Sequence, residues 1–190
     1  MIFLKSPAPD AIRRFLDEQS RLEFTYAAVG ASRESVPLGY VVDHTRVLLG
    51  TGRTVFETAV AGLRQWRQFA LGWVTAGPAD TPIEVGRCIA VWARAVGVCW
   101  VNACRIVYVI DEDGPLCRFG FAYGTLPGHV ESGEERFLIE WDRRDDRVWY
   151  DILAFSRPRH WTTKIGYPLV RRRQRQFARD SASAMQDAVK

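Results

Sequence analysis

Residues 123–137 read YGTLPGHVESGEERF and join two strand-like runs through a turn at Pro127 and Gly128. Before the turn, residues 118–123 alternate large apolar side chains with small ones, and residues 137–141 resume apolar alternation after it. A period of two interrupted by a proline–glycine pair predicts a β-hairpin. Because binding groups are often carried on loops between rigid elements, the histidine, three glutamates and arginine of this hairpin form a candidate functional site.

The hairpin belongs to a longer series of β-branched and aromatic runs in the middle of the chain. Turn-forming residues separate these runs, which we predict as six strands over residues 73–76, 85–96, 98–110, 118–123, 134–141 and 148–155. Consecutive strands joined by short turns indicate an antiparallel meander. A further strand candidate at residues 40–49 brings the expected number to about seven.

Three helices are predicted around the strands. A short amphipathic helix follows a Ser-Pro start within residues 6–20. Thr54 and Glu57 form a capping-box pattern at the start of a second helix, which we expect to end at Gly72. A long third helix begins near Tyr167 and spans roughly 30 Å, the width of a small domain.

The order strand, helix, six strands and long helix is similar to that of the helix-grip fold of START-related lipid carriers, pollen-allergen-like proteins and aromatic polyketide cyclases. It predicts an α+β fold in which a curved antiparallel sheet of about seven strands wraps around the C-terminal helix and leaves an apolar cavity. We expect one domain over residues 1–190, with residues 1–39 as an N-terminal helix-and-loop extension and 40–190 as the core. The alternative is another curved α+β sheet with a covering helix.

Composition narrows the class of protein. Seven tryptophans and ten phenylalanines suit a large core or an aromatic-lined cavity, and the net charge of +4 lacks the strong basic excess of a dedicated nucleic-acid binder. The four cysteines contain no CxxC pair, so we expect reduced, buried thiols, with Cys99 and Cys104 on opposite faces of a strand. Because no run approaches the ~20 apolar residues of a spanning helix and no signal peptide is recognisable, we expect a cytoplasmic protein without a membrane span.

Two motifs carry a resemblance to a known family. Residues 124–129 read GTLPGH and fit a G-T-L-x-G-H pattern, and residues 133–137 read GEERF. Together with shorter matches through most of the chain, among them Gly39-Tyr40, Val148-Trp149-Tyr150 and Gly166-Tyr167-Pro168-Leu169, they resemble uncharacterised protein family 0548 of bacteria and plants. The resemblance implies no agreed activity, cofactor or catalytic residue.

The hairpin and its neighbours supply candidate catalytic groups. His129 paired with Glu134 has the chemistry of a general acid or base at neutral pH, and Arg105, within an apolar strand, could bind a developing oxyanion. Because side chains on a strand alternate, Glu134 and Glu135 must face opposite ways, and only one of them can face the cavity. We expect no cofactor and no metal, since His44, His129 and His160 show neither HxH nor HExxH spacing.

Further residues are candidates for ligand contact. The predicted set consists of polar hairpin residues, one strand carboxylate and four strand aromatics, namely Thr125, Glu131, Asp151, Trp92, Trp100, Tyr108 and Tyr123. Two of the buried charges have an alternative interpretation, in which Arg105 and Asp151 pair with each other across the sheet. The hairpin groups likewise have a structural alternative, in which His129 and the glutamates only stabilise the turn.

These features lead to a hypothesis of function. The chain is predicted to bind a small apolar or amphipathic molecule, with cofactor-independent acid–base chemistry such as cyclisation, dehydration or isomerisation as one possibility and a non-catalytic carrier or sensor as the alternative. The third and least expected function is a nucleic-acid or membrane-surface binding module, because the arginines of residues 171–175 fit a solvated helix face. The sequence leaves the ligand and the oligomeric state open.

Overall fold

A computed structural model describes residues 1–4, 6–95, 97–159 and 167–190. Its strands are β1 (Ile2–Phe3), β2 (Val41–Thr51), β3 (Val74–Gly77), β4 (Cys88–Ala95), β5 (Val98–Glu112), β6 (Leu116–Thr125), β7 (Glu131–Asp142) and β8 (Arg147–Pro158). Its α-helices are α1 (Pro9–Gln19), α2 (Arg53–Arg64) and α3 (Tyr167–Ala188), with short 3₁₀ turns at Ala31–Arg33 and Arg67–Phe69.

The strands form one antiparallel sheet in the order β2-β8-β7-β6-β5-β4-β3, and the two-residue β1 pairs with β5. The predicted curved sheet of about seven strands with a long C-terminal helix is confirmed, as is the meander from β3 to β8. β2, which precedes the meander in sequence, closes its far edge by pairing with β8. The sheet therefore forms a half-barrel whose inner, concave face receives α2 and α3.

Strand alternation gives the sheet two apolar faces, each covered by different helices. The inner face joins α2, the second 3₁₀ turn and α3 in one core, which contains Leu63, Phe69, Phe121, Phe137 and Met185. The outer face packs against α1 through Ile12, Phe15, Leu16, Cys99, Val101 and Leu126. The N-terminal extension thus covers the outside of the half-barrel and leaves the inside to α3.

The second helix differs from its prediction at both ends. Its N-cap residue is Gly52 and makes no side-chain capping bond, while Glu57 instead pairs with Arg53 one turn away. The predicted capping box is therefore wrong, because Thr54 already lies inside the helix. At the other end the helix stops at Arg64, and the left-handed backbone of Trp66 (φ 58°) turns the chain into the 3₁₀ segment.

The cysteines are free thiols, and Cys99 and Cys104 pack into the outer and inner cores respectively. Both features agree with the prediction from strand alternation. Among the described residues, no helix is both long and apolar enough to cross a membrane.

Candidate functional site

A pocket of ≈ 870 Å³ lies between the inner face of the sheet and α3. Its walls are mainly apolar, and its apolar lining residues include Phe69, Trp73, Val91, Val98, Trp100, Ile152, Leu169, Val170 and Phe177. Polar groups reach it chiefly from β7, the β6–β7 turn and α3. Its size lies within the usual range of roughly 300–1,000 Å³ for small-molecule sites.

The adjacent glutamates of the hairpin lie on opposite faces of the sheet. Glu135 lines the pocket and accepts a hydrogen bond of 2.6 Å from the Tyr123 hydroxyl, whose ring packs against Phe137 in the inner core. The Glu134 carboxylate points to the outer face, where it meets the N-terminal extension. The prediction that one glutamate faces the cavity therefore holds for Glu135, and the choice of Glu134 for that place needs correction.

The buried Glu134 carboxylate anchors the extension to the sheet. It accepts hydrogen bonds from the Tyr26 hydroxyl (2.7 Å), the Gly30 amide (2.7 Å) and the Ser32 amide (3.0 Å), and a short one from the Ser32 hydroxyl. A carboxylate that accepts four hydrogen bonds on the outer face has no free lone pair directed at the pocket. Its geometry is that of a structural anchor, and the predicted pair with His129 is not formed.

Two glycines of the hairpin motif allow the N-terminal extension to pack closely on the outer face of the sheet. A Cβ atom at Gly124 would lie 2.8 Å from Cζ of Tyr26, and one at Gly128 would lie 2.5 Å from Cζ of Phe15. Both distances are too short for carbon atoms, so these positions require glycine for the extension to pack closely. Much of the motif's density therefore reflects the docking of the extension on the outer face.

His129 lies in the β6–β7 turn and is half-buried among the pocket-lining residues. Its Nδ1 accepts a hydrogen bond of 2.9 Å from the Glu131 amide, which places the proton of the neutral ring on Nε2. Burial lowers the pKa of His129 to about 4, and the N-terminal ammonium and Arg159 act in the same direction. At neutral pH the ring is therefore a neutral hydrogen-bond donor through Nε2, and its catalytic role stays a prediction.

The lowered pKa of His129 predicts that the protein loses stability as the pH falls. The unfolded chain binds a proton near its ordinary pKa of 6.5, whereas the folded chain does so only near 4, so acid favours unfolding between these values. We expect His129 to contribute up to about 3 kcal/mol to this loss of the free energy of unfolding. Urea unfolding of wild type and of His129→Gln from about pH 7 to about pH 4.5 measures this contribution. The stability of wild type relative to the variant should decrease as the pH falls, because only wild type carries the imidazole. A constant difference would contradict the assignment.

The predicted pair of Arg105 and Asp151 is not formed. β5 and β8 are separated by β6 and β7 in the sheet, which places the two side chains too far apart. Arg105 donates to the backbone carbonyls of Gln19, Ser20 and Leu22 at the end of α1 on the outer face. It is therefore not positioned to contact a ligand in the pocket, which corrects its predicted role.

Asp151 belongs to an ionic network on the outer face. It accepts hydrogen bonds from His44 (2.7 Å), Arg136 (2.8 Å) and Arg46 (3.3 Å). Although burial opposes it, the bonds from His44 and Arg136 hold the pKa of Asp151 below its ordinary value. Asp151 is fully used by protein partners and does not line the pocket.

The remaining predicted residues divide between the faces. Trp100, Tyr123, Thr125 and Glu131 line the pocket, and their contact with a ligand stays a prediction. Trp92 packs beside α1 on the outer face, and the Tyr108 hydroxyl lies 2.7 Å from that of Ser32 outside the sheet. A register shift in β5 between Ile106 and Tyr108 puts Tyr108 outside, which no sequence period could show.

The predicted set lacks several polar pocket residues, among them Glu135 and Asp43. A signal for Glu135 existed in β7, where residues 135, 137, 139 and 141 are Glu, Phe, Ile and Trp, while residues 134, 136, 138 and 140 are Glu, Arg, Leu and Glu. The more apolar set belongs inside. Arg171 was assigned to a solvated helix face, yet it donates to Asp43 at 2.6 Å beside the pocket.

The candidate metal ligands in the sequence are His129 with its neighbouring carboxylates, His44 and His160. Within the described ranges, no three His, Cys, Asp or Glu side chains are grouped to hold a metal ion. His44 is bonded to Asp151 on the outer face, and His160 lies outside the described residues. The expected absence of a metal stays a prediction.

The family described as Domain of unknown function (DUF1990) matches residues 25–184, from the anchored extension to α3. The chain belongs to the DUF1990 family. A UPF0548 protein of Dictyostelium discoideum is 36% identical over 208 aligned residues, which cover 100% of this chain and 96% of that protein. The resemblance to uncharacterised protein family 0548 is thereby confirmed for this DUF1990 protein.

Solved structures resemble this DUF1990 chain in fold at low sequence identity. A hypothetical protein from Helicobacter pylori superposes with a TM-score of 0.55 and 12% identity, covering 88% of this chain and 99% of that one. Human STARD10 superposes with a TM-score of 0.50 and 12% identity, covering 97% of this chain and 80% of that one. At this identity the likeness concerns the fold alone.

Proposed function

We propose that this DUF1990 protein binds a small, largely apolar molecule in the pocket between the sheet and α3. The observation that carries the proposal is the pocket itself, ≈ 870 Å³ with predominantly apolar and aromatic walls. When a ligand displaces water from an apolar wall, the burial of that surface favours binding by about 25 cal/mol per Å². A ligand with an apolar body is the molecule that this pocket suits.

The elements that enclose the pocket support the same proposal. Phe69 from the second 3₁₀ turn and Phe177 from α3 line the pocket with ring centroids 5.2 Å apart, and both rings pack against Phe137 of β7 in the inner core. Such ring contacts hold the wall in place without a ligand. The helix-grip fold of START-related carriers, which the sequence predicted by analogy, encloses a cavity at the corresponding place.

Catalysis by the three residues predicted from the sequence receives no support from the geometry. Arg105 and the Glu134 carboxylate lie on the outer face, and His129 is neutral with its Nδ1 already bonded. Groups that cannot reach one bound molecule cannot act together on it. The proposal therefore concerns binding, by a carrier or sensor or as the first step of a reaction that other pocket groups perform.

Filling the pocket should abolish ligand binding without unfolding the protein. Ala154 lines the pocket from β8, and a tryptophan there would occupy part of the space. We expect Ala154→Trp to bind the neutral apolar dye Nile red about tenfold more weakly than wild type, measured by fluorescence titration. Ala61→Trp on the exposed side of α2 is the matched control and should bind like wild type. Unchanged dye affinity in a folded Ala154→Trp variant would contradict the proposal.

A ligand carried through purification would give the proposal direct support. Native mass spectrometry of gently purified protein should detect an added mass, and extraction under denaturing conditions should release an organic molecule. In Ala154→Trp the added mass should be absent or reduced, because the same space is occupied. A mass that persists in that variant would place the bound molecule outside the pocket.

A further inference from the structure

The polar groups that β7 presents to the pocket are acidic. Glu131 and Glu135 are four residues apart on the same face of the strand, and both line the pocket. We propose that the ligand carries a basic nitrogen whose protonated form binds the Glu135 carboxylate, an inference that rests on the proposed function. The ligand class is then an amphipathic amine, with its apolar body along the wall of the pocket.

Glu135 offers an acceptor that protein groups only partly use. It is half-buried, and one carboxylate oxygen accepts the 2.6 Å hydrogen bond from Tyr123. Within the described part of the chain, no lysine, arginine or histidine forms an ion pair with it. A carboxylate without a cation in an apolar pocket favours a ligand that supplies one, since charge-assisted hydrogen bonds are the strong ones.

Glu131 gives an independent indication of the same electrostatic preference. The residue is 4% exposed, and neither of its carboxylate oxygens has a hydrogen-bond partner among the described residues. Burial raises its pKa, and two neighbours oppose this effect, namely Arg171 and the Ser156 hydroxyl, which lies close to the carboxylate without the geometry of a hydrogen bond. At ~3.3 Å per residue it lies roughly 13 Å from Glu135, too far for one ammonium group to contact both. We assign the direct contact with the ligand ammonium group to Glu135, whose carboxylate is the less buried of the two. Glu131 is expected to attract the same group electrostatically, without touching it.

Two arginines of α3 lie at the pocket, Arg173 in its lining and Arg171 beside it, and both have protein partners. Arg171 donates two hydrogen bonds to Asp43, and Arg173 lies over the Trp73 ring at 5.3 Å while donating to Gln176. The contact of Arg173 with Trp73 shows that an aromatic ring beside the pocket accommodates a positive charge. Further aromatic rings of the wall, Phe69, Trp100, Tyr123 and Phe177, offer the same kind of surface to a ligand ammonium group.

Protonation of Glu135 makes the inference testable by pH. Burial raises the pKa of Glu135 to about 7, with Asp43 acting in the same direction and the Tyr123 hydroxyl opposing it. The other titratable groups that interact with it from neighbouring strands are Cys104 and Tyr150, both of which stay neutral in this range. An ammonium ligand favours the carboxylate form, so its binding must release a proton below about pH 7. Its affinity should then fall about tenfold per pH unit on the acid side.

The test compares three probes that share one chain, namely decylamine, decanol and decanoate, by isothermal titration calorimetry at about pH 8. We expect wild type to bind decylamine about tenfold or more tightly than decanol, and decanoate most weakly. Glu135→Gln should remove the preference for decylamine while leaving the affinity for decanol within about twofold. Glu131→Gln should reduce the preference less, and Glu84→Gln, at an exposed residue outside the pocket lining, should leave it intact.

The outcomes separate this inference from the proposed function. Equal or tighter binding of decanol or decanoate would overturn the amine assignment and leave the apolar pocket standing, whereas failure of all three probes would overturn both. A second measurement follows proton release in wild type and in Glu135→Gln. In wild type, decylamine binding near pH 6 should release protons, seen as a buffer-dependent heat, and decanol binding should not. Proton release that persists in Glu135→Gln would assign the linked group elsewhere and overturn the role of Glu135.

Discussion

Glu134→Gln should lower the free energy of unfolding by about 3 kcal/mol or more and detach the extension from the sheet. The carboxylate accepts hydrogen bonds from Tyr26, Gly30 and Ser32 in a site that water does not reach. A glutamine amide replaces one acceptor oxygen by a donor, which leaves buried donors facing another donor. The loss should appear in urea unfolding and as faster amide hydrogen exchange at Gly30 and Ser32.

The neighbouring glutamate provides the control. Because burial raises the pKa of Glu135 to about 7, its charged form costs stability that grows as the pH rises through that value. Glu135→Gln should therefore leave the free energy of unfolding unchanged or slightly raised at about pH 8. The same substitution at two adjacent positions is thus expected to cause a large loss of stability at one and none at the other. Equal losses in both variants would show that the two side chains do not occupy different faces.

Gly120→Ala should also destabilise the protein by about 3 kcal/mol or more, and the variant could fail to accumulate in folded form. Gly120 pairs with Leu138 between β6 and β7. An added Cβ atom would collide with the carbonyl oxygen of Phe137 and lie 2.9 Å from Cα of Leu138. Because both contacts are with backbone, a side-chain rotation cannot relieve them, and the two central strands must separate.

Thermal and urea unfolding of Gly120→Ala against Gly114→Ala measure this effect. Gly114 lies in the turn before β6, and a Cβ atom there meets nothing within 4 Å. Its substitution should change the free energy of unfolding by no more than about 0.5 kcal/mol. Similar losses at both positions would mean that removing a glycine, rather than the clash inside the sheet, causes the destabilisation.

The two faces of β7 divide the roles of the hairpin. Its outer face holds the extension through Glu134, and its inner face presents Glu135 to the pocket. We therefore expect ligand affinity to respond to the inner substitutions and stability to the outer ones. The density of polar residues in one motif reflects two separate tasks on opposite sides of one strand.

The secondary structure was largely predictable from the sequence because its signals are local. Alternating apolar residues indicated the strands from β2 to β8, and helical spacing indicated α1 and α3, with errors mainly at element ends. The order of elements predicted the curved sheet with a covering helix, since connections between neighbouring strands are short. The family followed from motifs of a few residues. Local pattern also required Glu134 and Glu135 to face opposite ways.

Only the tertiary structure decided which of Glu134 and Glu135 faces the pocket. The partners of Glu134 come from residues 26–32, about a hundred positions earlier in the chain, and no local period encodes them. Strand order kept Arg105 and Asp151 apart, and a register shift turned Tyr108 outward. The sequence by itself determined the elements and the family of this protein. The pocket and its acidic wall depend on contacts between distant segments, which form only when the sheet curves around α3.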